Sequence, residues 1–76
     1  MPRAKPDHTL AAILKRLREE HDESQESLAH RAGITKGALA RIELGQSSPS
    51  WSTVRALAQA LDTSMAELSA AVEAEQ

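Results

Sequence analysis

Leu10, Ile13, Leu14 and Leu17 recur at i, i+3, i+4 and i+7, the spacing that lines one face of a helix, while Lys15, Arg16, Arg18, Glu19 and Glu20 fill the other face. The pattern predicts a first helix over about 8–21, capped by Asp7 or Thr9 and ended by the charged pair Asp22 and Glu23. Leu28, Ala29 and Ala32 predict a short second helix with Ser24 as N-cap, Glu26 near the positive end of its dipole and Gly33 as its stop.

A third helix is predicted over about 35–44. Thr35 is its N-cap, Ile34 and Leu39 have the spacing of a hydrophobic staple, and Gly45 supplies a left-handed residue beyond its end. Leu39 and Ile42 face inward on this reading, and Lys36, Gly37, Ala40 and Arg41 do not. Gln46, Ser47, Ser48 and Pro49 form a loop. Ser50 then caps a fourth helix whose inward stripe is Trp51, Val54, Leu57, Ala58 and Leu61. Ser64 and Glu67 have the spacing of a capping box opening a fifth helix with Met65, Leu68 and Val72. The expectation is all-α: five helices, no strand, one domain over 8–72, a flexible arm at 1–7 and frayed residues at 73–76.

Composition narrows the classes. Seventy-six residues make one small core and leave little room for a deep substrate pocket. With no cysteine there is no disulfide and no thiol nucleophile, which suits a reducing cytoplasm. No apolar run approaches the length of a bilayer span, and no signal-peptide core follows Met1. His8, His21 and His30 form no i, i+4 pair and no acidic cluster completes a metal site, so no metal or other cofactor is expected. No Gly-rich phosphate loop or complete triad is present, so no catalysis is expected either.

The net charge of -2 argues against bulk coating of nucleic acid, but the charge is uneven. Residues 1–41 hold eight bases against six acids, and no acid occurs from Ser27 to Ile42, a stretch that contains Arg31, Lys36 and Arg41. Two short helices joined by a Gly-containing turn, the second with small residues and long donors on its outer face, have the form of a helix that enters the major groove. On spacing alone Lys36 and Arg41 read as a solvated helix face.

Ser24-Gln25-Glu26-Ser27-Leu28-Ala29, Gly33-Ile34-Thr35, Leu39-Ala40-Arg41-Ile42-Glu43-Leu44-Gly45 and Pro49-Ser50, with the trailing Leu61 to Leu68, resemble the phage-repressor and Cro-like (Xre-type) helix-turn-helix family over about residues 9–68. The resemblance implies the compact five-helix lambda-repressor-like DNA-binding domain. It implies that Gln25 holds a DNA phosphate and can brace the third helix, that Thr35, Lys36, Gly37, Ala38 and Arg41 sit where the family reads DNA, and that Gln46, Ser47 and Ser48 meet the DNA backbone. It also implies an ion pair between Arg18 and Glu43 tying the first helix to the third. The sequence departs from the family where Asp22 and Glu23 replace a Gly and an apolar residue, which predicts a looser turn between the first two helices.

The function expected is a cytoplasmic, sequence-specific regulator that binds a palindromic double-stranded operator as a homodimer. Its dimer surface is expected at Ala70, Ala71 and Val72, apolar residues left over once the core is filled. Arg3 and Lys5 are expected to touch DNA or to form a disordered tail. With no second domain in the sequence, no small-molecule ligand is expected. The competing reading is an antitoxin or other partner-binding module, and a third is a helix-turn-helix that has lost its groove face.

Overall fold

The computed structural model describes residues 6–75, with side chains from His8 onward; the arm residues Arg3 and Lys5 lie outside the described residues. Five helices and no strand occur among them: α1 (Pro6–Glu20), α2 (Gln25–Ala32), α3 (Lys36–Glu43), α4 (Trp51–Ala60) and α5 (Met65–Glu75). α2 packs on α3 and α4, α1 on α3 and α5, and α4 on α5. Ile13, Leu14, Leu28, Leu39, Leu57 and Leu61 are fully buried where these helices meet, each contributing about 1.5–3 kcal/mol relative to exposure. Leu10, Leu17, Ile34, Met65, Ala71 and Val72 pack around the edge of that core.

The starts of the helices follow their caps. Ser24, Thr35 and Ser50 accept from the main-chain N–H of Ser27, Ala38 and Thr53. Ser64 and Glu67 make both bonds of the capping box, each 3.0 Å long. α1 begins at Pro6, two residues earlier than the pattern predicts, because proline suits a first helical position that needs no N–H partner. Thr9 consequently lies inside the helix and caps nothing.

The ends of α1 to α4 share one device. After each, a residue takes a left-handed conformation: Asp22 (φ 54°), Gly33 (φ 77°), Gly45 (φ 73°) and Asp62 (φ 57°). The N–H of the residue beyond it then bonds back to the last turn, as in Glu23 to Arg18 (3.2 Å), Ile34 to Ala29 (2.9 Å), Gln46 to Arg41 (2.9 Å) and Thr63 to Ala58 (2.9 Å). These are Schellman closures, which satisfy carbonyls that the helix leaves open. At Gly45 a side chain is also excluded by contact, since a Cβ there would stand 2.9 Å from His8 Cδ2.

Trp51 and the turn between α1 and α2 also depart from expectation. Trp51 is 66% exposed and not part of the core. It is the first residue of α4, and helical side chains lean toward the N-terminus, so its indole overhangs the start of the helix beyond the packed stripe of Val54, Leu57 and Leu61. The turn between α1 and α2 is not loose. Asp22 adopts the left-handed geometry a glycine would, and Glu23 is held by Arg31 Nε and Nη2 at 2.8 and 2.9 Å and by Ser27 Oγ at 2.8 Å. A satisfied carboxylate thus stands where the resembled family carries an apolar residue, with its side chain only 12% exposed. α5 also continues past Val72 to Glu75, whose carboxylate meets Arg16 Nη1 at 3.4 Å. No helix among the described residues is long and apolar enough to cross a membrane.

Candidate nucleic-acid interface

The core sets the presentation of α3. Leu39 and Ile42 are buried and Ala40 is half-buried, which leaves Lys36, Gly37 and Arg41 exposed and Ala38 half-exposed on the outer side. Thr35 Oγ1 accepts from the Ala38 N–H at 3.0 Å, so its hydroxyl hydrogen is available to donate outward. The first turn of α3 carries no acid, and the N–H groups of Lys36 and Gly37 are open at the positive end of the helix dipole.

The arginines divide into structural and free. Arg18 pairs with Glu43, Arg16 with Glu20 and Glu75, and Arg31 with Glu23. Arg31 Nη2 also donates to the Ala60 carbonyl at the end of α4. Of the three cations in the acid-free stretch, Arg31 is therefore committed to the fold, whereas Lys36 and Arg41 have no hydrogen-bond or ion-pair partner among the described residues. The hydrogen bonds from Arg31, then that from Ser27, hold the Glu23 carboxyl below its ordinary range, and the Glu23 hydrogen bond raises Arg31.

Behind α3 lies a buried polar junction. Arg18 Nε donates to Glu43 Oε2 at 2.7 Å and its Nη2 to Oε1 at 3.0 Å, while its Nη1 reaches the Glu23 carbonyl at 2.8 Å. Gln25 Nε2 donates to the same Glu43 Oε1 at 2.9 Å. The Glu43 side chain is 2% exposed and that of Arg18 12%. The Glu43 hydrogen bond is the main cause that raises the Arg18 guanidinium above its ordinary value. One carboxylate on α3 thus ties α1 and the start of α2 to the third helix. The second amide hydrogen of Gln25 is not taken by any described residue.

The loop after α3 gives part of its main chain to the fold. The Gln46 N–H is already given to the Arg41 carbonyl, so Gln46 offers its exposed side chain rather than its amide. Ser48 is exposed and Ser47 half-buried beside it. On the far end, Ala70 is exposed, whereas Ala71 and Val72 are half-buried against the core. The ion pair of Glu23 with Arg31 was missed in the sequence, whereas the bond from Gln25 to Glu43 is the form taken by the bracing of the third helix that the family resemblance implies for Gln25. The signal for the first was the series Glu23, Ser27, Arg31, which lies on one helical line at i, i+4, i+8. No local spacing marks the second.

No three His, Asp or Glu side chains among the described residues gather into a group able to hold a metal ion.

A family model described as helix-turn-helix matches residues 14–68. Among solved structures, the clp gene regulator ClgR from Corynebacterium glutamicum is 22% identical with a TM-score of 0.92, over 97% of this chain and 79% of that one. The restriction-modification controller protein C.Esp1396I, solved as a tetramer with its natural 35 base-pair operator, is 16% identical with a TM-score of 0.88, over 96% of each chain. At those identities the likeness is one of fold. A helix-turn-helix-family transcriptional regulator from Vibrio cholerae is 33% identical with a TM-score of 0.78, over 84% of this chain but 36% of that one. No curated protein matches.

Proposed function

Because this chain belongs to the helix-turn-helix family of DNA-binding transcription regulators, we propose that it is a sequence-specific regulator that binds a palindromic operator as a homodimer with α3 in the major groove. The observation that carries this reading is the outer face of α3: two cations, Lys36 and Arg41, unpartnered among the described residues, beside the small residues Gly37 and Ala38, on a helix braced from behind through Glu43. Arg41 is suited to donate two hydrogen bonds to guanine O6 and N7. The second amide hydrogen of Gln25, the Thr35 hydroxyl and the side chains of Gln46, Ser47 and Ser48 serve the DNA backbone, setting register without reading sequence.

One eight-residue helix offers few base contacts. Two copies about a two-fold axis, their recognition helices about 34 Å apart, combine modest half-sites into a specific whole. The tetrameric operator complex of the controller protein C.Esp1396I supports self-association on DNA in this fold. The copies meet along α5 at Ala70, with Ala71 and Val72 behind it, and the acids Glu67, Glu73 and Glu75 keep that end away from phosphate. A protein partner is the second reading, favoured by Leu44 and Trp51, each 66% exposed.

Selection of bound sequences from a random DNA pool, followed by affinity against salt, tests the proposal. Inverted half-sites one helical turn apart are expected. No enrichment, with weak binding even at low salt, overturns the DNA reading. Sedimentation of Ala70→Glu is expected to show a lower mass than the parent; an unchanged profile removes α5 as the dimer surface.

A further inference from the structure

Gly37 is the one glycine that the backbone does not require. Gly33 and Gly45 hold positive φ, whereas Gly37 sits in the first turn of α3 with ordinary helical geometry. Glycine is the poorest helix former short of proline, and no packing excludes a side chain at this position. A Cβ built on Gly37 would find only Arg41 Nη1 within 4 Å, at 4.0 Å, apart from its chain neighbours and its own helix backbone.

That contact locates the Arg41 guanidinium. Long helical side chains lean toward the N-terminus, and four residues of α-helix span about 6 Å. The guanidinium of Arg41 therefore lies about one turn back from its own Cα, over the bare backbone of Gly37 and at the level of Lys36 to Ala38. Both free cations of α3 act from the same end of the helix, together with its open first-turn N–H groups.

We propose that Gly37 is a positioning residue for Arg41: its missing side chain is the bed on which the guanidinium lies, and this selects which base pair of each half-site Arg41 reads. The inference rests on the DNA-binding reading above. A lone methyl at position 37 meets Nη1 at an ordinary contact distance. Any longer side chain competes for the space the guanidinium occupies. Displacing Arg41 toward its own level moves its donors by as much as about 6 Å along the helix, enough to take them off the base edge they would otherwise reach. Specificity at that position then follows residue 37, although residue 37 itself donates nothing.

The test is a double-mutant cycle on the sequence that the parent protein selects from a random pool, with thermal melting to show that every variant is folded. Gly37→Ala is expected to select the same sequence as the parent. Gly37→Leu, a better helix former than glycine, is expected to weaken the selected site about tenfold more than it weakens random DNA. In an Arg41→Ala background the same Gly37→Leu change is expected to cost less than about twofold, because the group it displaces is gone. Equal losses in both backgrounds, or no loss in either, overturn the role of Gly37 while leaving the DNA reading in place. If the parent protein itself enriches no sequence, the DNA reading fails and this inference falls with it.

Discussion

Arg18 and Glu43, 25 residues apart in sequence, meet in a two-pronged ion pair whose carboxylate is almost fully enclosed: Nε to Oε2 at 2.7 Å and Nη2 to Oε1 at 3.0 Å. The pair joins the end of α1 to the end of α3, and Gln25 at the start of α2 shares the same carboxylate. The orientation of the outer face of α3 is therefore set by a buried charge as well as by Leu39 and Ile42.

Removing one partner leaves the other charge enclosed. Arg18→Ala is expected to cost about 3 kcal/mol, a large part of the roughly 4–11 kcal/mol typical of a domain this size. The paired change Arg18→Met with Glu43→Leu is expected to cost less, because neither charge is then stranded. Urea denaturation of the three proteins decides it; a single-variant loss under about 1 kcal/mol would mean that the pair behaves as a surface one.

The carboxylate of Glu23 gives the turn between α1 and α2 a pH dependence. Its folded value is depressed by the Arg31 and Ser27 hydrogen bonds. Its contribution is therefore fully present above the unfolded glutamate value of about 4.3 and is lost as pH falls through the lower folded value. Glu23→Gln is expected to be less stable than the parent at pH 7, with the gap closing below about pH 4. A gap that stays constant from pH 7 to pH 3 would show that the carboxylate contributes through shape alone.

Asp62 closes α4 with φ 57°, in a conformation that costs glycine nothing, and it places a negative charge at the negative end of a helix. Asp62→Gly is expected to stabilise the fold by about 0.5 kcal/mol, or about 2–4 °C in thermal melting. Gly33→Ala, at φ 77° with nothing within 4 Å of the new methyl, is expected to destabilise by about 1 kcal/mol from backbone strain alone. A lower melting point for Asp62→Gly would mean that the aspartate makes a compensating contact in solution.

Arg41→Ala and Gln25→Ala separate reading from anchoring. Arg41→Ala is expected to lose about 1–3 kcal/mol on the selected site and much less on random DNA. Gln25→Ala is expected to weaken both, since a phosphate contact carries no sequence information. Gel-shift titrations on the two DNAs distinguish them; equal losses for Arg41→Ala would remove it as a reader.

Five helices, and the caps of the last four, were legible because capping and hydrophobic periodicity are local. Ser24, Thr35, Ser50 and Ser64 stand within three residues of the N–H groups they satisfy, and the leucine stripes repeat within each helix. Trp51 was misplaced for the same reason. Periodicity assigns a face but does not say whether a neighbouring element covers the helix at that height.

The candidate site was legible in outline and not in its connections. Lys36, Gly37 and Arg41 declared themselves as the polar face of a short capped helix. That Arg31 is neutralised by Glu23 while Lys36 and Arg41 stay unpartnered among the described residues is visible only once the turn before α2 is folded. By itself the sequence determined the helices, most of their ends and most of the inward stripes, because those follow from forces acting over three or four residues. Tertiary structure alone decided which charges are buried, which are paired and which face outward. Residues as distant as Gln25 and Glu43, or Arg31 and Ala60, come within hydrogen-bond reach only when separate helices pack.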